Sequence, residues 1–276
     1  VRWTARLSVV CLLAALAARA SAAPGASLER GFRHLYDLNF TQAQEEFSSW
    51  QKLRPSDPMG YVSEAAGLLF AEFDRLGVLE AQFYENDKTF AARKRLSPDP
   101  ATRDRFNAAL DRAEKLGSAQ VQQNPRDRNA LFALTLASGL RADYAALIEK
   151  RNFQSLKYTR QATALAEQLL NADPSCYDAY LARGVSRYIV GSMSAPVRWL
   201  LRLGGVDGDK QAGIADLKLT ADRGRYLAPF ARILLAIAYV REKDKPRARE
   251  LLASLHQEFP GNQLFLREIE RLDTAP

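Results

Sequence analysis

The stretch LAPFARILLAIAYVREKDKPRARELLASLHQEFPGN, Leu227 to Asn262, decides the fold. Within it Ala236, Tyr239, Ala248, Leu252, Leu255 and Pro260 stand at offsets 0, 3, 12, 16, 19 and 24. A small and an aromatic residue lie one turn apart on a first helix. A small–large–large series follows on a second helix, and a proline stops it. Two helices cross closely only where small side chains face each other, and large neighbours fill the adjacent groove. The stretch therefore reads as one helix pair of a repeating array.

Upstream, no segment shows the strict alternation of a half-buried strand, and turn signals separate long amphipathic stretches. Pro55, Pro125, Pro174 and Pro260 each follow a helix-like stretch, and Asp57, Asp127 and Asp178 stand just beyond the first three, placed to cap the next helix. The pattern predicts five helix pairs: 27–38 with 41–53, 57–77 with 101–122, 127–148 with 153–171, 175–190 with 209–223, and 227–241 with 244–258. A last helix over 262–273 caps the array, with Leu264, Leu266 and Ile269 inward and Arg267, Glu268 and Arg271 outward.

Indexed from the prolines, the interface positions hold Ala43, Phe47 and Trp50 in pair one. They hold Tyr61, Ala65 and Leu68 in pair two, Ala162, Ala166 and Leu169 in pair three, and Tyr180 and Gly184 in pair four. Thr135 in pair three and Gly117 in pair two depart from the pattern. Over residues 27–273 the chain resembles the tetratricopeptide repeat superfamily. The resemblance implies an all-α fold, a superhelix of stacked helix pairs, and a non-catalytic role in binding other proteins. Two insertions, about 78–100 and 190–208, interrupt the period. The second, with the GDKQAG that follows, resembles the helix–GxxGD–helix run of the tetratricopeptide repeat protein 39 group.

The chain has 276 residues, 47% hydrophobic and 26% charged, a globular composition. Residues 1–22 read as a signal peptide: Arg2 and Arg6, an apolar run from Leu7 to Ala18 too short to span a bilayer, and an Ala20-Ser21-Ala22 cleavage site. Residues 23–276 then form one helical repeat domain. The expected setting is export from a bacterial cell to the periplasm or beyond, with no stable membrane insertion after cleavage. Val1 fits a GTG start codon read literally, and the Ala and Arg richness agrees with a bacterial source. Removal of Arg2, Arg6 and Arg19 takes the formal net charge from +7 to +4. The remaining charges are mixed along the helices, with no basic stripe to track a phosphate backbone, so nucleic acid is not an expected partner. Of the two cysteines Cys11 lies in the leader, leaving Cys176 without an intrachain partner.

First helices of such pairs line the concave groove, and here that face is apolar. The groove positions are Leu28, Phe32, Leu35 and Tyr36 in pair one, and Met59, Val62, Ala66, Leu69 and Phe70 in pair two. Pair three offers Phe132, Leu136 and Leu140, and pair four Leu181, Val185, Tyr188 and Ile189. Pair five offers Phe230, Ile233, Ile237 and Val240. Each large apolar side chain left wet forgoes about 1.5–3 kcal/mol, so something must cover this face. The leading expectation is self-filling by the insertions, through Leu79, Phe83, Tyr84 and Phe90 and through a helix Pro196 to Leu203 that lays Trp199, Leu200 and Leu203 on Val185, Tyr188 and Ile233. A pocket for an apolar ligand or peptide and a dimer interface are the alternatives. The candidate contact residues are Phe32, Tyr36, Phe70, Phe132, Leu136, Val185, Tyr188, Trp199, Phe230, Ile233 and Ile237.

Catalytic, metal and cofactor chemistry finds no constellation. His34 and His256 belong to opposite ends of the chain, and no HExxH or CxxC spacing occurs. Cys176 stands at a helix start, where the macrodipole could lower its pKa, but the preferred reading is a small residue at a helix entry. Gly204 to Lys210 lacks the Gly-Lys-Ser/Thr ending of a phosphate loop. Glu72 and Asp74 near Glu85 and Asp87 read as loop carboxylates, and Arg198 and Arg202 around Trp199 suit a lid as well as a membrane surface. The expected function is therefore an exported protein–protein interaction scaffold that is not an enzyme and carries no cofactor. The alternative is a periplasmic carrier for an apolar ligand or peptide.

Overall fold

The computed structural model describes residues 26–79, 96–193 and 208–274, and every structural statement below concerns those residues. They form eleven α-helices and no strand: α1 Leu28–Tyr36, α2 Phe40–Leu53, α3 Pro58–Arg75, α4 Pro100–Gln123, α5 Arg128–Asp143, α6 Asn152–Ala172, α7 Tyr180–Ser192, α8 Lys210–Arg223, α9 Ala228–Arg241, α10 Lys245–Glu258 and α11 Gln263–Thr274. Consecutive helices pack as antiparallel pairs, and each pair packs on the next. This is the all-α superhelix of stacked helix pairs that the spacing predicts.

The caps follow the sequence. Asp57 accepts from the Met59 amide and Asp127 from the Ala130 amide. Asp99, Asp209 and Asp244 cap α4, α8 and α10 in the same way. Four of the five first helices end in a left-handed residue: Leu38, Gly77, Lys150 and Lys243 all have φ between 59° and 69°. At the first, second and fifth pairs the chain then bonds back over six residues, Asn39 to His34, Val78 to Phe73 and Asp244 to Tyr239. Lys150 follows a π-helical turn, Tyr144–Ile148, that extends α5. By length and composition Arg128–Ile148 could cross a membrane, but 67% of its apolar window is buried in the protein, so packing accounts for it.

Both departures from the repeat pattern have local reasons. Thr135 is buried with its hydroxyl donating to the Leu131 carbonyl at 2.8 Å, so its polar atom is satisfied within α5. A Cβ at Gly117 would come within 2.9 Å of Leu134, so the missing side chain lets α4 and α5 approach. In pair four the approach is closer still. A Cβ on Gly191 would fall 2.4 Å from the Lys210 amide nitrogen, and one on Gly208 would fall 2.5 Å from that of Gly191. Residues 191 and 208 are therefore in contact, and the second insertion leaves and rejoins the array at one point.

Three expectations are corrected. Asp178 does not cap its own helix. It sits in a 3-10 turn, Tyr177–Ala179, and accepts from the Arg225, Tyr226 and Leu227 amides at 2.9, 3.1 and 2.8 Å, which fixes the start of pair five. In α11 the buried stripe is Phe265, Ile269 and Leu272, while Leu264 and Leu266 flank it half-buried. Glu72 is no loop carboxylate: it is buried, bonded to Arg75 at 2.6 Å, and accepts the Asp99 amide at 2.7 Å, tying the start of α4 to α3. Glu85 and Asp87 lie outside the described residues.

The array does not stay open. The Tyr36 hydroxyl donates to the Tyr226 carbonyl at 2.9 Å, and the Asn262 side chain donates to the Tyr36 carbonyl at 2.9 Å. Arg33 pairs with Glu258 at 2.8 Å, and Arg225 pairs with Glu29. Phe32 meets Tyr226 and Tyr36 meets Phe259, with ring centroids 5.4 and 5.7 Å apart. The first helix thus seats against the connections that precede α9 and α11, and the superhelix closes on itself.

Candidate functional site: a central apolar cavity

Closure brings the five inner faces together. They surround a cavity of about 170 Å³, to which the first helix of every pair contributes. Phe32 and Tyr36 come from α1, Phe70 from α3, Phe132 and Leu136 from α5, Val185 from α7 and Phe230 from α9. These seven are among the residues the apolar pattern singles out. Aromatic contacts knit the wall: Phe70 meets Phe230 edge-on at 5.6 Å, and Phe132 stacks on Tyr226 at 6.0 Å.

Three other candidates do not reach the cavity, and one cannot be placed. Tyr188 is buried, with its hydroxyl 3.5 Å from the Ala238 carbonyl, and joins pair four to pair five. Ile233 and Ile237 stay half-buried outside the lining, because α9 turns Phe230 and Leu234 inward instead. Those two are four residues apart and share a stripe, whereas Ile233 and Ile237 form the neighbouring one. Trp199 lies outside the described residues, as do Phe83, Tyr84 and Phe90, and with them the contacts expected of the insertions.

The polar groups of the wall carry the chemistry. Asp143 ends α5, at the junction with the π turn, and lines the cavity. It is in line with Phe132, Leu136 and Gly139 on one helix face. Its side chain is half-buried. No hydrogen bond or ion pair to the Asp143 carboxyl occurs among the described residues, and burial pushes its pKa up to about 7. Asp178, on the far side of the chain's closure, also lines the cavity, and burial raises its pKa against the three backbone amides that bond it. Thr135, Thr159 and Tyr36 complete the polar lining. Their hydroxyls are committed as donors to the Leu131, Ser155 and Tyr226 carbonyls. Among the described residues no Lys, Arg or His lines the cavity.

Asp143, Gly139 and Thr159 were not among the sequence candidates. The groove stripe read along α5 stops at Leu140, and one further turn reaches Asp143. Cys176 is a structural residue: burial, then the charge of Asp178, pushes its thiol up to about 11, the reverse of helix-start activation. Among the described residues no group of three or more His, Cys, Asp or Glu side chains is placed to hold a metal ion.

A second feature lies at the connections between pairs. Arginines stack on aromatic rings at these connections and on the helix turns beside them: Arg54 on Trp50 at 4.1 Å, Arg183 on Tyr180 at 4.7 Å, Arg225 on Tyr226 at 5.0 Å, Arg33 on Phe259 at 5.2 Å and Arg223 on Tyr177 at 5.3 Å. Side chains hold these connections in a repeated way. Tyr61 and Tyr180 donate to the Pro55 and Pro174 carbonyls, and Gln120 and Gln168 donate to the Ser56 and Pro125 carbonyls.

No family model matches the chain, and no curated protein matches it. Among solved structures it is similar to a thermophilic tetratricopeptide-repeat protein of Thermus thermophilus, at 18% identity, over 90% of this chain and 97% of that one, with a TM-score of 0.46. At that level the likeness speaks to neither ligand nor partner.

Proposed function

We propose that this protein is an exported, non-catalytic interaction scaffold whose partner docks on the arginine–aromatic connections rather than in the concave groove. The carrying observation is that the inner face is consumed by closure around a small cavity, while the connections hold pre-ordered Arg, Tyr and Trp side chains. Those residue types dominate binding hot spots, because they bring large contact area and lose little freedom on docking. Stacking on rings and bonding to loop carbonyls fixes them beforehand. Export rests on the leader-like residues 1–22.

A photo-crosslinking residue placed at Tyr177 or Arg54 in the native host tests this. The expected result is one recurrent protein adduct at both positions and none at the exposed control Lys157. Equal labelling at Lys157, or no adduct at the connections, would refute the docking surface.

A second reading, a carrier for a small apolar ligand, is favoured by the cavity itself. It makes a separate claim about a separate part of the molecule.

A further inference from the structure

We propose that the central cavity is a binding site for a small primary amine, one apolar ring or short chain in size, with Asp143 as the anchor for its ammonium group. The inference deepens the carrier reading and is independent of the scaffold.

Size sets the first limit. An apolar cavity of about 150 Å³ takes up benzene. The cavity here, about 170 Å³, suits a single ring with a short arm.

Polarity sets the second. Every side-chain hydroxyl in the described wall is spent as a donor on a backbone carbonyl of the protein, at Thr135, Thr159 and Tyr36. What remains once Asp143 has lost its proton is acceptors: its carboxylate, the lone pairs of two threonine hydroxyls, and the carboxyl group of Asp178. A half-buried carboxyl against an apolar wall is costly to ionise without a nearby donor. Asp178 has its donors in three amides. Asp143 has none among the described residues. The missing partner is thus a hydrogen-bond donor, and with two carboxyls and no cation in the described wall the favoured donor is positively charged. Charge-assisted bonds of this kind are roughly twice as strong as neutral ones.

The position is built for access to a ligand. The π turn Tyr144–Ile148, which ends the helix, begins at the residue after Asp143. One turn before it, Gly139 lines the cavity, and a Cβ there would meet nothing within 4 Å. Next to the carboxyl the wall is therefore empty space rather than packed side chain.

Calorimetry and thermal melting of the full mature chain with benzylamine and its neutral isostere ethylbenzene test the proposal. Benzylamine should bind at one per chain and raise the melting temperature, and ethylbenzene should bind at least about tenfold more weakly. Asp143→Asn should weaken benzylamine at least about tenfold and leave ethylbenzene unchanged. Gly139→Leu, which fills the cavity from a position with free space, should abolish both and keep the fold should Asp143→Asn lose it. Equal binding of the two probes, or full benzylamine affinity in Asp143→Asn, would overturn the amine site and leave the apolar carrier standing. Binding of neither probe would overturn both. Benzylamine binding that survives Gly139→Leu would place it elsewhere on the protein and overturn the proposal.

Discussion

The side-chain amide of Asn262 donates to the main-chain carbonyl of Tyr36 at 2.9 Å, in the interior, across 226 positions of sequence. This bond belongs to no helix pair. It ties the connection before the capping helix to the end of α1, and with Gly261, whose amide donates to Asp37 at 2.8 Å, it latches the two ends of the array. An array of repeats ordinarily gains stability from neighbours alone. Here the first and last units are also neighbours.

Asn262→Ala should destabilise the protein by about 1–3 kcal/mol, since it leaves the Tyr36 carbonyl buried without its donor. Tyr36→Phe, which removes the bond to the Tyr226 carbonyl, should cost about 1 kcal/mol. Chemical denaturation gives both values. Hydrogen exchange in Asn262→Ala should quicken in α1 and α11 together. Exchange that quickens in α11 alone would show that the latch is not what couples the ends.

The contribution of Asp143 to stability should fall as pH rises from about 4 to 7. A free aspartate loses its proton near 3.8, whereas folded Asp143 holds it to about 7. Between those values the native state binds a proton that the unfolded chain has released, so each rise in pH favours unfolding, and the effect levels off above 7. The penalty at pH 8 is at most on the order of 4 kcal/mol. Asp143→Asn should flatten this limb and be more stable than the parent at pH 8. Melting temperatures of the two proteins at pH 5 and pH 8 decide it, and parallel profiles would exclude a buried acid at 143.

One substitution should have opposite signs at two glycines. At Gly139 an added Cβ meets nothing within 4 Å, so Gly139→Ala should stabilise by about 0.5–1 kcal/mol through helix propensity. At Gly213 the Cβ would fall 2.6 Å from the Tyr188 amide nitrogen, so Gly213→Ala must push α8 off α7 and should destabilise by about 1–3 kcal/mol. Urea unfolding of the pair checks the contrast.

Ala236→Trp or Ala248→Trp should unfold the C-terminal pair. Both residues are buried where α9 and α10 cross, Ala248 with no exposed surface, and overpacking such a point costs about 1–3 kcal/mol or more. Because α1 seats on this end, the loss should reach α1 as well. Unchanged melting of either variant would refute the crossing.

The helices and their pairing were legible in the sequence because the forces that set them are local. Aspartate caps act within three residues, prolines stop helices where they stand, and small–large spacing such as Ala236 with Ala248 fixes which faces cross. Even the convergence of Phe32, Phe70, Phe132 and Phe230 is foreshadowed by an apolar stripe that water must leave. Closure itself was not legible. It depends on the summed rotation of five pairs, and only that sum brings Tyr36 to Tyr226 and Asn262. Asp143 was hidden for the same reason. A carboxylate at the end of a helix reads as solvated until residues as distant as Phe32, Asp178 and Phe230 enclose it. The helix pairs are properties of neighbouring residues, whereas the cavity and its unpartnered acid are properties of distances that only the tertiary structure fixes.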